Sequence, residues 1–380
     1  MTFVAMFGVY VHVPFCRKAC NYCNFHFSTN LSRIKDMAIA ISEEINLTAF
    51  PKSGLNTLYF GGGTPSLLKI TDLEMIIGSL KNKTNFSQIK EITLECNPED
   101  INKEALRNWQ LLGISRLSIG LQSLNDNELK AMNRCHSATD SRTCLDIIHQ
   151  FGHFEVSVDL IYGTPWKSNT EWEKELDEIM DHPAVNHLSA YALTVEQKTK
   201  LHHQIEKGEI KAAPDDKMIE QFYLLQNKVK EYHWDAYEIS NYCKPNHRAE
   251  HNSQYWKYSP YYGIGPAAHS YDGNNKRYVN IANNTLYIKA LAQKELPRTY
   301  ESLSKIDQLN ERLMTGLRTK EGIQTHQLLL LKADWETENL RSIQRFLNEG
   351  QLIQTPLGFA LSESGKLISD QIISDLMAID

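Results

Sequence analysis

The chain has 380 residues, 42% of them hydrophobic and 23% charged, with a formal net charge of −6. That length supports an ordinary buried core and more than one structural unit, so disulfide staples are not required. The acidic balance argues against a nucleic-acid surface, which needs cations to neutralise phosphates, and no apolar run approaches the ~20 residues of a membrane span. The first fifteen residues are apolar, but no Lys or Arg precedes the run and no small-residue cleavage site precedes Cys16. A secretory signal is therefore not expected, and a reducing, cytoplasmic location is.

Taken in chain order, short β-rich runs are predicted at residues 9–13, 57–60, 92–95, 116–120, 156–161 and 187–193. Between them, helical periodicity covers 31–47, 72–80, 103–112, 137–150 and 171–180. A βα unit repeated six times predicts a parallel sheet with helices outside. Six units are too few for an eight-stranded barrel, so the expected α/β fold is an open or partial (β/α)6 barrel over residues 1–200.

Past residue 200 the period changes. A helix is predicted over 216–231, followed by an aromatic segment, 234–278, rich in Tyr, His, Asn and Gly. Residues 201–300 thus read as a connecting region. Residues 301–380 read as mostly helical, with two short β-like runs at 352–355 and 358–361. Helices followed by a small hairpin suggest a winged-helix-like element. Such modules often bind DNA, but residues 336–380 hold seven acidic residues against three basic. A packing or protein-contact role is expected instead.

The unusual residues fall at the C-terminal ends of the predicted strands. Cys16 to Cys23 follows the first, Gly61-Gly62-Gly63-Thr64-Pro65 the second, and Glu95-Cys96-Asn97-Pro98 the third. Gly120-Leu121-Gln122, the run from Asp159 to Gly163, and Tyr191-Ala192-Leu193 end the next three. Barrel enzymes build their sites at this end. Of seven cysteines, Cys16, Cys20 and Cys23 share one short loop; Cys96, Cys135, Cys144 and Cys243 are scattered and read as small buried hydrophobes. In a reducing compartment the tight group is a metal site. A cubane iron–sulfur cluster normally takes four thiolates, so three leave one iron open to a cofactor. Zinc, with His26 as a fourth ligand, and a redox disulfide are the alternatives.

The Cys-x3-Cys-x2-Cys spacing after an apolar strand is the hallmark of radical S-adenosylmethionine (SAM) proteins. Tyr10-Val11-His12-Val13-Pro14-Phe15-Cys16 resembles the approach to the cluster in the subfamily of oxygen-independent coproporphyrinogen oxidases and HemW-type haem chaperones. The likeness runs through nearly the whole chain. It implies a [4Fe-4S] cluster on Cys16, Cys20 and Cys23, with SAM at the open iron. It also implies a SAM pocket of Tyr10, Gly62, Gly63, Thr64, Glu95, Gln122, Arg134 and Asp159, with Ala192 on the adenine side. Glu95 and Arg134 suit the zwitterionic methionine end, and Gln122 and Asp159 the ribose hydroxyls.

Two features separate the branches of that subfamily. The oxidases carry a further cysteine two positions after the third cluster cysteine, where this chain has Phe25, and a longer segment before the motif. His251-Asn252-Ser253-Gln254-Tyr255-Trp256 matches the His-Asn-x-x-Tyr-Trp motif of the HemW-type proteins. The resemblance therefore implies a haem chaperone, with His251 as an axial ligand and Tyr255 and Trp256 against the macrocycle. His269 and His247 are the alternative ligands. Haem is then the cargo, haem-requiring respiratory proteins the recipients, and a membrane surface a place of peripheral contact. The alternative function is SAM-dependent oxidation of coproporphyrinogen III.

Overall fold

In strand β1 (Phe7–Val13) every residue except Tyr10 is buried. A strand buried on both faces belongs in the middle of a covered sheet. The computed structural model, which describes residues 6–52 and 54–379, puts it there. Residues 1–5, part of the N-terminal stretch discussed above, lie outside the described residues, as do 53 and 380.

Strands β2 (Leu55–Gly62), β3 (Glu91–Cys96), β4 (Arg116–Gln122), β5 (Glu155–Tyr162) and β6 (His187–Ala192) follow β1 in spatial order, all parallel. Each predicted strand is present, the first five lengthened by two to four residues and the sixth shorter by one. The connecting helices include Ile34–Leu47, Ile70–Lys83, Lys103–Leu111, Ala138–Phe151 and Asn169–Asp181. The last two start sharply because Ser137 and Ser168 form capping boxes with Asp140 and Glu171. Inside, Val9, Val11, Leu58, Phe60, Leu94, Leu117, Val158 and Leu188 are fully buried. The partial (β/α)6 barrel is the fold.

A six-stranded sheet would leave β1 and β6 as raw edges, open to pairing with another chain. The aromatic-rich region covers both. Strands β7 (Asp235–Ala236) and β8 (Asn241–Cys243) extend the sheet antiparallel beyond β6. The chain then crosses through a helix, Glu250–Trp256, to β9 (Tyr261–Ile264), which pairs parallel with β1. Strands β10 (His269–Tyr271), β11 (Lys276–Asn280) and β12 (Arg298–Ser302) continue antiparallel, completing a twelve-stranded sheet. A segment expected to connect two units therefore finishes the first one.

The C-terminal part has its own core, including Leu309, Leu313, Trp335, Phe346 and Ile372. It runs helix Lys305–Gly316, β13 (Ile323–Gln324), helices Thr325–Leu329 and Trp335–Asn348, then the predicted hairpin β14 (Leu352–Gln354) and β15 (Gly358–Leu361). The three strands pair antiparallel in the order β13-β15-β14. Among the described residues no helix is long and apolar enough to cross a membrane.

Candidate cluster and cofactor site

A cavity of about 610 Å³ opens at the C-terminal ends of β1 to β6. Its wall brings together every residue proposed from the sequence for the cluster and SAM. Tyr10, Cys16, Cys20 and Cys23 come from β1 and the loop after it, and Gly62, Gly63 and Thr64 from the end of β2. Glu95, Gln122, Arg134, Asp159 and Ala192 complete it. Parallel strands all end on the same side of the sheet, so residues far apart in sequence converge there.

The glycines of the second motif act on the cysteine loop. Gly62 has φ +111°, and a Cβ there would lie 2.6 Å from the His12 ring. A Cβ on Gly63 would lie 2.5 Å from the Phe15 carbonyl oxygen. Without side chains, the end of β2 seats against the residues leading into Cys16. Gly63 N donates to Val13 O at 2.9 Å and Thr64 N to Phe15 O at 2.7 Å. The Thr64 hydroxyl also bonds Cys16, opposing the burial that pushes that thiol up to about 11. Cluster ligation requires loss of the thiol protons. His26, considered as a zinc ligand, is engaged elsewhere: its Nε2 lies 2.7 Å from Asn284 Oδ1.

Glu95 accepts from Gly62 N at 3.0 Å and from Tyr59 Oη at 2.8 Å. Burial, with a further contribution from Asp159, lifts its carboxyl to about 7. Burial also lifts Asp159 to about 6, against a hydrogen bond from Ser189 and the charge of Arg134. Arg134 Nη2 donates to Gly120 O at 2.7 Å and to Asn97 Oδ1 at 2.8 Å, while Nη1 lies 3.4 Å from Cys20 Sγ. Its Nε is buried without an acceptor among the described residues. Gln122 has φ +67° and sits where β4 slips register against β5. That bulge turns the strand end. The loop beyond it is tied down by Lys167, fully buried between Glu128, at 3.0 Å, and Glu175.

Three findings depart from the sequence reading. Cys96, Cys144 and Cys243 are buried, but Cys135 is exposed and borders the cavity, because it follows Arg134 on a surface turn. Tyr59 and Asn97 were not singled out, although they hold Glu95 and Arg134. Asn97 lay inside a recognised motif, and Tyr59 next to Phe60 on the face of β2 turned into the barrel. The third departure concerns the His-Asn-x-x-Tyr-Trp segment.

His251, expected as an axial ligand, and Tyr255, expected against the macrocycle, project from the helix Glu250–Trp256 into the barrel. His251 is 2% exposed. Its Nδ1 lies 2.8 Å from Thr57 Oγ1 and its Nε2 2.9 Å from Tyr255 Oη. The ring stacks on Tyr59, centroids 5.0 Å apart. Burial lowers its pKa to about 4, so the imidazole is neutral. Both nitrogens are engaged, and the structure does not present His251 as an open ligand. His247 Nδ1 is also occupied, 2.6 Å from Glu155 Oε2. His269, on β10, is exposed. Trp256 lies on the other face of the helix, at a second cavity.

A partial barrel with three cysteines at its mouth defines a radical SAM protein, and residues 10–179 match the Radical SAM superfamily. Among curated proteins, the chain is 31% identical to radical S-adenosyl methionine domain-containing protein 1, mitochondrial, of Danio rerio, over 97% of this chain and 86% of that one. It is 30% identical to the heme chaperone HemW of Bacillus subtilis, over 84% and 85%. It is also 30% identical to that of Mycobacterium tuberculosis, over 98% and 95%. The chain belongs to the HemW-type family of radical SAM proteins. The solved coproporphyrinogen III oxidase (HemN) of Escherichia coli shares the fold: TM-score 0.84 and 19% identity, over 98% of this chain and 90% of that one.

The donor set fits the cofactors that this family implies. Two buried carboxylates with raised pKa values suit a cationic ligand, which supplies the countercharge they lack. SAM brings a sulfonium and an ammonium, and the free Nε of Arg134 suits its carboxylate.

Proposed function

We propose that the chain is a haem chaperone that binds a [4Fe-4S] cluster on Cys16, Cys20 and Cys23, SAM beside it, and haem as cargo. In this reading Glu95 and Asp159 receive the cationic part of SAM, Arg134 its carboxylate, and Gln122 its ribose. The cluster supplies an open iron and one electron when it is bound. The chain's own residues orient SAM and shield it: Gly62 and Gly63 seat the cysteine loop, and Tyr10, Tyr59 and His251 close the barrel beneath the cavity. The recipients are haem-requiring respiratory proteins, reached from the cytoplasm at a membrane surface.

One observation carries the choice of chaperone over oxidase. At the rim of the cavity, Phe25 is 74% exposed where the oxidases resembled by this chain hold a further cysteine. An exposed aromatic ring offers apolar surface for a macrocycle or partner and no thiol chemistry. The relatives named heme chaperone HemW, 30% identical over most of the chain, support the same choice.

The test is to reconstitute the cluster anaerobically, then offer haem to one sample and coproporphyrinogen III with SAM and reductant to another. The expected result is a shifted Soret band in the first and no protoporphyrinogen IX in the second. Product formation over many turnovers would make the chain an oxidase.

A further inference from the structure

The second cavity, about 400 Å³, lies between the C-terminal end of the helix Glu250–Trp256 and the C-terminal unit. Two of the residues that line it, Trp256 and Arg312, each hold a buried N–H, Nε1 and Nε, with no acceptor among the described residues. Buried donors are paired in the great majority of native structures, so an orphaned pair on residues lining one cavity calls for an acceptor from outside the chain.

The charge on the wall says what kind of acceptor. Arg312 reaches Gln327 Oε1 at 3.2 Å and lies over the Tyr258 ring, 4.7 Å from its centroid. Among the described residues it meets no carboxylate, and neither does the exposed Lys257. The carboxylate on the wall, Glu321, is paired with Arg248 at 2.8 Å. Nearby Glu311 is held by Arg277 at 2.7 Å and by the Tyr258 hydroxyl at 2.6 Å. Two cations are thus left over in a chain whose net charge is −6. Beside them stand flat rings, Trp256 and Tyr258. Unneutralised cations next to aromatic faces suit a planar aromatic anion.

We propose that this cavity binds the carboxylate edge of a porphyrin dicarboxylate. Arg312, held over the Tyr258 ring, and Lys257 take the carboxylates, Trp256 Nε1 donates to one of them, and the ring of Trp256 covers the macrocycle edge. This site rests on the haem-carrier reading and locates the cargo's acidic side away from the cysteine loop. It gives the C-terminal unit a share in the cargo site, since Arg312 sits on its first helix.

The test is a titration of the cluster-loaded protein with haemin and with haemin dimethyl ester, which keeps the ring and iron but masks both carboxylates. Wild type is compared with Arg312→Gln, Trp256→Phe and Lys257→Gln, the last on the surface and no threat to folding. The expected result is tenfold to a hundredfold weaker haemin binding in Arg312→Gln, roughly the loss of one charge-assisted bond, and a smaller loss in the other two. The ester should bind wild type at least as weakly as haemin binds Arg312→Gln, and should be indifferent to Arg312→Gln and Lys257→Gln. If wild type binds haemin and its ester equally, or if all three variants bind haemin like wild type, the cavity is not the site and the carrier reading survives. If wild type binds no haemin at all, the carrier reading falls and this site falls with it.

Discussion

Glu95→Gln tests whether the cavity is built for a cation. Burial raises the Glu95 carboxyl from an ordinary 4.5 to about 7. The folded chain therefore holds that proton more tightly than the unfolded chain does. Its contribution to stability is complete below the unfolded value and is lost as the pH rises through about 7. The change is worth roughly 3 kcal/mol. Gln is neutral throughout, but Gly62 and Tyr59 donate to different carboxylate oxygens and Gln puts an NH2 in place of one of them, which costs about 1 kcal/mol. In protein free of cluster and SAM, the variant should be more stable than wild type by about 2 kcal/mol well above neutrality. Below the unfolded value of 4.5 it should be less stable by about 1 kcal/mol, because Glu95 is then protonated in both folded and unfolded wild type. Asp159, lifted to about 6, titrates in both proteins and largely cancels from the comparison. Urea unfolding at a series of pH values, followed by far-UV circular dichroism, measures the difference. A gap between variant and wild type that stays constant with pH would show that Glu95 carries no such strain.

Replacing Cys16, Cys20 or Cys23 by Ser should abolish cluster assembly, read as iron and sulfide content. Cys135→Ser, although Cys135 borders the same cavity, should leave it intact. Arg134→Ala removes the bonds to Asn97 and Gly120 and the donor meant for SAM; SAM affinity, measured by equilibrium dialysis, should fall about tenfold or more while iron content holds. His251→Ala leaves a cavity under Tyr59, takes the ring partner from Tyr255 and leaves Thr57 with Gln254 alone; it should cost roughly 2–4 kcal/mol in unfolding experiments. Its haem spectrum should match wild type, and a change confined to His269→Ala would place the iron ligand on β10 instead.

Much of the site could be read from the chain because its parts are local. Three cysteines within one loop, a glycine run after an apolar strand and charged residues at successive strand ends each announce themselves by spacing. Parallel topology then gathers them, since every such strand ends on one side. The haem motif shows where that logic stops. The pattern His-Asn-x-x-Tyr-Trp says that the residues belong together, yet not whether the helix carrying them faces solvent or the barrel. Its orientation depends on Gly8, Thr57 and Tyr59, which lie on strands more than 190 residues earlier.

The amino-acid pattern by itself determined the six βα units, the cysteine loop and the strand-end residues, because alternation, helical period and turn glycines are properties of neighbours in sequence. Tertiary structure alone decided the rest. It sent residues 235–302 to both raw edges of the sheet, a choice that pairing energy makes across long separations and that short aromatic strands do not advertise. It left Cys135 exposed while three similar cysteines were buried. It also put Arg312 of the C-terminal unit at the same cavity as Trp256, a juxtaposition set by how two separate cores dock, which no local pattern encodes.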